Sequence, residues 1–236
     1  LAANEEAKTG KDSEKILTNL NKAVNNAKTA VSIAPEKAIN NEFLALIYEN
    51  ASIYTNGGVA VWAKSIEDAY NKVIELDPNN PISYIKLALV NVVRSNAEQV
   101  PAEKEKFMNE AIKYYDIALA KKGDLSEVYY QKGIAYEKNA NLNKAIEQVS
   151  QAVKLSNNNI DYVFELARLY SNRGITQAKS VDVLPEIVKQ DGEENTDVKQ
   201  PTEKRIERNQ DINSAEQIFL SILQFNPAHA NAQYSL

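Results

Sequence analysis

The chain contains no cysteine among its 236 residues, and glycine and proline occur only seven times each. Without cysteine it can form neither disulfides nor thiolate metal sites, and it has no thiol nucleophile. Glycine and proline are the residues that cost most free energy inside helices. Their scarcity, together with an apolar content of 44%, favours a helical protein with a sizeable core.

The sequence also lacks an excess of positive charge and a long apolar run. The net charge is −5 with both signs interspersed, so there is no basic footprint for a nucleic acid. No apolar stretch approaches the roughly 18 residues that cross a bilayer, and the opening LAANEEAKTGKD has no signal-peptide pattern. We expect neither nucleic-acid binding nor direct membrane insertion by this segment, whether its compartment is cytoplasmic or extracytoplasmic.

What the sequence does contain is an internal repeat. NLNKAV at 19–24 is almost copied by NLNKAI at 141–146. Around the second copy, residues 126–159 place Gly133, Tyr136, Ala145 and Ala152 at positions 8, 11, 20 and 27 of a 34-residue unit. Small side chains at positions 8 and 20 let two antiparallel helices approach closely. This unit resembles the tetratricopeptide repeat.

The same register recurs along most of the chain, interrupted by insertions between the first helix (A) and the second helix (B) of a repeat. The resemblance implies an all-α, right-handed solenoid of antiparallel helix pairs that forms one domain over residues 1–236. Its predicted repeats are 13–37 (a partial repeat, helix B only), 38–80 (with a 9-residue insertion), 81–125 (with an 11-residue insertion), 126–159 (regular), 160–229 (with a 36-residue insertion at about 175–213) and 230–236 (the start of a further helix A).

Solenoids need polar capping repeats, and neither end of this sequence carries one. We therefore interpret the chain as a fragment of a larger bacterial tetratricopeptide-repeat protein whose uncapped ends allow self-association. The stretch IYENASIYTNGGVAVWAKSIEDAYNKVIELDPNN at 47–80 is similar to repeats in the tails of bacterial cell-envelope polysaccharide ligases. A soluble structural or regulatory tail of such a membrane protein is the alternative function.

In arrays of this family the A helices line a concave surface, and repeat positions 2, 5, 9 and 12 face inward. Positions 5 and 9 predict a partner-binding groove of Leu46, Ile85, Leu89, Tyr130, Ile134, Phe164 and Arg168. The Lys and Asn of carboxylate-clamp members are missing there, so we expect apolar anchors with little salt dependence and no free carboxylate tail. Arg168 would fix polarity by pairing with an acidic or carbonyl group. The alternative is that these side chains only pack between neighbouring A helices.

No arrangement of residues indicates catalysis. His229, the single histidine, falls at a predicted turn between repeats, which leaves no histidine-based triad or multi-histidine metal site. Trp62, the single tryptophan, lies in the first insertion; we interpret it as packing on the adjacent helices, with ligand anchoring as the alternative. We predict a protein-interaction scaffold that is not an enzyme, uses no cofactor or metal, and binds a protein or peptide partner.

Overall fold

A computed structural model describes residues 2–54, 58–180 and 209–235, and every regular element in these ranges is an α-helix. The predicted all-α solenoid fold class of antiparallel helix pairs is confirmed. The helices are α1 (Ala2–Ile33), α2 (Ala38–Ile53), α3 (Gly58–Leu76), α4 (Pro81–Ala97), α5 (Pro101–Lys121), α6 (Ser126–Lys138), α7 (Leu142–Leu155), α8 (Ile160–Ser180), α9 (Gln210–Phe225) and α10 (Ala230–Tyr234).

Asparagine side chains begin several of these helices. The Oδ1 of Asn80 accepts a hydrogen bond from the backbone N–H of Ile82, and Pro81 then occupies the first turn of α4, where no N–H is needed. Asn141 caps α7 in the same way, and Asn209 caps α9. Each of these caps marks the start of its helix, whereas α2 and α6 begin after Lys37 and Leu125 without a side-chain cap.

The chain divides into two compact units, Leu1–Asp124 and Leu125–Leu236. In unit 1, helix α2 pairs with α3 and α4 pairs with α5, while α1 packs on α2 and α3 contacts α4. The core includes the fully buried side chains of Ile66, Tyr70 and Leu87. Tyr70 keeps its hydroxyl satisfied by donating to Oε1 of Glu49 at 2.8 Å, so its burial carries no unpaired polar atom.

In unit 2, helix α6 pairs with α7 and α8 pairs with α9, α7 contacts α8, and α10 packs on α9. Small residues mark the closest approach of the helices. Gly133 on α6 faces Val149 and Ala145 on α7 so closely that only glycine fits without movement. One hydrophobic core of this unit joins Ala167 on α8 to Ala215, Phe219 and Ile222 on α9, which follow the repeat spacing read from the sequence.

The predicted insertion at about 175–213 is only partly described. Helix α8 continues to Ser180 and α9 begins at Gln210, while residues 181–208 lie outside the described residues. Arg173 and Asp211 join α8 to α9 at the edge of this segment, with Nε to Oδ2 at 2.7 Å and Nη2 to Oδ1 at 2.8 Å. The grouping of all repeats into one domain stays a prediction.

Candidate partner-binding faces

The predicted groove residues of unit 1 form stripes on two A helices. Leu46 on α2 and Ile85 on α4 are half-buried, and Leu89 is 37% exposed. Ile85 and Leu89 are four residues apart, so they share one side of α4. We call Leu46, Ile85 and Leu89 the unit-1 face. Leu89 in particular offers apolar surface that the fold does not use.

Two further apolar residues extend these stripes and were missed because only repeat positions 5 and 9 were chosen. Ile39, seven residues before Leu46, is 48% exposed, and Ile82, seven residues before Leu89, is 51% exposed. Both occupy repeat position 2, and a spacing of seven returns to the same side of a helix after two turns. Reading position 2 along with positions 5 and 9 would have found both isoleucines.

Two ion pairs lie near the unit-1 face. The Nζ of Lys86 lies 2.7 Å from Oε2 of Glu49, which joins α4 to α2, and Arg94 pairs with Glu67 on α3. Burial raises the pKa of the Glu67 carboxyl, although the guanidinium of Arg94 opposes the change. These pairs leave the exposed aliphatic side chains as the surface available to a partner.

Unit 2 carries an aromatic stack at the corresponding place. The rings of Tyr130 on α6 and Tyr162 on α8 are nearly parallel, at 18°, with centroids 4.6 Å apart. The Tyr162 hydroxyl donates a short hydrogen bond to Oε2 of Glu127. Burial and this hydrogen bond raise the pKa of Tyr162 to about 12. We call Tyr130, Ile134, Phe164 and Arg168 the unit-2 face.

Arg168 does not point a free cation at a partner. Its Nε donates to Oε2 of Glu165 at 2.9 Å, and its Nη2 donates both to Oε1 of Glu165 and, at 2.5 Å, to Oε2 of Glu137. Hydrogen bonds to Glu165 and then to Glu137 raise the pKa of the guanidinium. These bonds join α6 to α8, and the expectation that Arg168 also pairs with a partner's acidic or carbonyl group stays a prediction.

The side chains of Phe164 and Ile134 are less exposed than those of an open groove would be. Both are half-buried. The ring of Phe164 lies 5.5 Å from that of Phe219 and 5.4 Å from that of His229. His229 begins α10, because its Nδ1 accepts the N–H of Ala232 at 3.1 Å. Phe164 therefore supports the α8–α9 core, and Tyr130, which is also half-buried, packs against the core that contains Ile146 and Val149.

Trp62 and an apolar cavity lie outside the two faces. Trp62 packs against the unit-1 core, with its ring 5.5 Å from that of Tyr48, as the packing interpretation has it. An apolar cavity of about 510 Å³ lies in unit 2 between α7, α8 and α9. It was not foreseen, and its lining contains none of the predicted groove residues: Val153, Asn158, Ile160, Val163, Leu166, Ile218, Ser221, Ile222 and Phe225.

Within residues 2–54, 58–180 and 209–235, no group of three or more histidine, aspartate or glutamate side chains is arranged to hold a metal ion. None of the helices described there combines the length and the apolar character needed to span a membrane.

Comparison with known proteins bears on the repeat itself. Residues 126–159 match the family model described as Tetratricopeptide repeat. These are the residues of the one regular repeat found in the sequence. No curated protein matches the chain in sequence.

Several solved structures share the fold. MamA 41-end from Desulfovibrio magneticus RS-1 aligns with a TM-score of 0.59 at 14% identity, over 93% of each chain. A thermophilic TPR protein of Thermus thermophilus aligns with a TM-score of 0.54 at 13% identity, over 93% of this chain and 90% of that one. YrrB, described as a TPR protein with an unusual peptide-binding site, gives 0.56 at 17% identity, over 89% of this chain and 79% of that one. At these identities the likeness concerns the fold.

Proposed function

We propose that this tetratricopeptide-repeat protein is a protein-interaction module that holds a segment of a partner protein against the faces of its A helices. Repeat arrays bind through extended surfaces made by neighbouring units. The observation that carries the proposal is that the A helices of unit 1 expose apolar side chains at repeat positions 2 and 9, namely Ile39, Ile82 and Leu89. Exposed apolar groups that continue along one side of a helix are typical of interaction sites.

The partner we propose is an extended or helical peptide segment. One similar structure, YrrB, is described as having a peptide-binding site. The helix faces here suit the same kind of partner, because Leu89 on α4 and Tyr130 on α6 are side chains on which a peptide could pack. The module recognises its partner by shape and charge and does no covalent chemistry. With a net charge of −5, nucleic acid is not the partner we propose.

Peptide selection followed by affinity measurement tests this function. A random 12-residue peptide library would be selected on the intact chain, and the enriched peptides would be synthesised with a fluorescent label. Anchors in such interfaces typically contribute about 2 kcal/mol or more, whereas surrounding contacts are nearly neutral. Leu89→Ala in unit 1 or Tyr130→Ala in unit 2 should therefore weaken binding by about tenfold or more.

Leu155→Ala is the matched control. Leu155 lies at the end of the B helix α7 and is 38% exposed, almost the same as Leu89 at 37%. This control removes the same side chain from a comparable environment outside both faces, and it should leave peptide affinity unchanged. The proposal would be wrong if no peptide were enriched, or if Leu155→Ala weakened binding as much as the two face variants.

A further inference from the structure

We infer that the A-helix surface of unit 2 selects a basic partner segment, with an arginine or lysine side chain lying against the Tyr130–Tyr162 stack and beside the carboxylates of Glu127 and Asp161. The inference rests on the proposed function, because it names the partner chemistry for one of the two faces. It goes beyond that function by assigning a charge to the partner and by adding three residues that the sequence analysis did not select.

The stacked rings of Tyr130 and Tyr162 form an aromatic surface. Tyr130 and Tyr162 come from different helices, and both side chains are half-buried and half open to solvent. Stacking holds the two rings in one orientation, so little side-chain entropy remains to be lost when a partner binds. The face of a tyrosine ring attracts cations through its quadrupole, and a guanidinium group can stack on it. A preformed pair of such rings suits a cationic side chain.

The charge beside this stack is negative and comes from the carboxylates of Glu127 and Asp161. Glu127 and Asp161 are both exposed, and each occupies the second position of its A helix. Glu127 accepts hydrogen bonds from the Tyr162 hydroxyl and from Nε2 of Gln131 at 2.7 Å. Both donors are neutral, so the negative charge of Glu127 is not compensated. Arg168 pairs with Glu137 and Glu165, and neither Glu127 nor Asp161 is among its partners.

The nearby cation, Arg168, is already paired within the fold. Arg168 is shared between Glu137 and Glu165, so this group of three side chains carries a net negative charge by itself. An acidic partner segment would meet Glu127, Asp161 and this uncompensated charge together, and it would be repelled. A basic segment is complementary to all of them. Complementary charge on a surface selects partners and increases their rate of association.

The protonation behaviour of the stack agrees with this arrangement. The pKa of Tyr130 is raised by burial and then by the negative charges of Glu165 and Glu127, with Arg168 opposing them. Of these causes, the negative charges of Glu165 and Glu127 would also favour a bound cation. For this face the inference predicts salt-dependent binding, in contrast to the earlier expectation of little salt dependence, because exposed charges are screened by salt.

Three labelled probe peptides test the inference by fluorescence anisotropy. They share one 12-residue leucine- and alanine-based framework and carry four arginines, four glutamines or four glutamates at the same positions. We expect the arginine peptide to bind the intact chain about tenfold more tightly than the glutamine peptide, from cation–π and ion-pair contributions together. The glutamate peptide should bind most weakly. Raising the salt concentration should reduce the affinity of the arginine peptide and leave that of the glutamine peptide nearly unchanged.

Two charge-matched variants locate the effect. Glu127→Gln with Asp161→Asn should remove most of the preference for the arginine peptide. The control, Glu147→Gln with Glu216→Gln, removes the same charge from exposed positions on the B helices α7 and α9 of the same unit, and should keep that preference. Circular dichroism and a urea unfolding curve for each variant show that the fold is retained.

The outcomes separate this inference from the proposed function. Equal affinity for the arginine and glutamine peptides overturns the inference, as does an equal loss of preference in the two double variants. If library peptides still bind and respond to Leu89→Ala or Tyr130→Ala, the proposed function stands without it. If neither the probe peptides nor any library peptide binds, both the inference and the proposed function are wrong.

Discussion

A Cβ atom at Gly133 would lie 2.5 Å from Cγ2 of Val149 and 3.2 Å from the carbonyl oxygen of Ala145. Real side chains do not come this close, and the second neighbour is backbone that cannot move away easily. Gly133→Leu should therefore overpack the contact of α6 with α7 and lower the free energy of unfolding by about 1–3 kcal/mol. Urea denaturation of the variant measures this cost.

The control for this prediction is Gly123→Leu. Gly123 lies in the turn before α6, where a Cβ would be 3.7 Å from the nearest neighbour, the carbonyl oxygen of Leu119. Its unfolding midpoint should stay close to that of the wild type. In addition, Val149→Ala removes the methyl group that a Cβ at Gly133 would meet, so Gly133→Ala should cost less free energy in the Val149→Ala background than alone. Strict additivity of the two changes would contradict the contact.

Replacing Ala140 by glycine should stabilise the protein. Ala140 follows the end of α6 with a φ of 55°, in the left-handed region. Its N–H bonds to the carbonyl of Glu137, and the next N–H, of Asn141, bonds to that of Tyr136. Alanine in this conformation costs about 1–2 kcal/mol relative to glycine, so Ala140→Gly should raise the unfolding free energy by about 1 kcal/mol.

The same substitution in a helix should have the opposite sign. Ala23 is half-buried in the interior of α1, and Ala23→Gly there should cost about 0.5–1 kcal/mol of unfolding free energy. Thermal unfolding of the two variants side by side gives the comparison. A loss of stability in both would mean that Ala140 does not adopt the left-handed conformation in solution.

Arg173 and Asp211 should show a measurable coupling energy. Their two hydrogen bonds are in the bidentate geometry that only a guanidinium provides, and their side chains are 24% and 14% exposed. A double-mutant cycle with Arg173→Lys and Asp211→Asn should give a coupling of about 1 kcal/mol. The exposed pair Lys64–Asp68 on α3 should give a clearly smaller coupling, because water screens both charges. Equal values for both pairs would contradict the structural role of Arg173.

Tyr162 should make stability fall in alkaline solution. Its pKa in the folded protein is raised from the ordinary value of 10.0 to about 12, mainly by burial and then by the hydrogen bond to Glu127. Below pH 10 the hydroxyl is protonated in both states, and its stabilising contribution is complete. Between pH 10 and about 12 the unfolded chain loses this proton while the folded chain keeps it, so the contribution is lost as the pH rises.

Tyr162→Phe isolates this effect, because phenylalanine has no proton to lose. Urea midpoints at pH 8 and pH 11 should show that any advantage of the wild type over Tyr162→Phe shrinks at the higher pH. Other alkaline titrations, such as those of lysine, affect both proteins alike. An advantage that grew with pH would contradict the environment assigned to Tyr162.

The fold was largely predictable from the sequence because its information is local and repeated. Small residues such as Gly133 and Ala145 recur at spacings that only paired helices require, and asparagines at positions such as Asn80 begin the helices. Even the departure at Asn91, where the repeat favours tyrosine, is absorbed locally, because its side chain is buried and donates to the carbonyl of Leu87. Periodicity and capping act within a few residues, so a single sequence displays them.

The candidate site was less predictable because its properties depend on which side chains meet across helices. The position rule selected Arg168 but could not show that Glu137 and Glu165 occupy its guanidinium. The rule also could not show that Phe164 packs against Phe219, which belongs to the other side of a long insertion. Conversely, the stack of Tyr130 on Tyr162 joins two positions that the rule does not pair. Such contacts depend on rotamers and inter-helix geometry, which repeat spacing does not encode.

The connections between the ends of α8 and α9 have a consequence for engineering. Besides the pair formed by Arg173 and Asp211, the amide of Asn209 donates to the carbonyl of Gly174 at 3.3 Å. The pair of helices α8 and α9 thus has contacts of its own at the end where they are joined. The junction is therefore a natural place to graft a foreign epitope, a protease site or a reporter domain while the repeat keeps its shape.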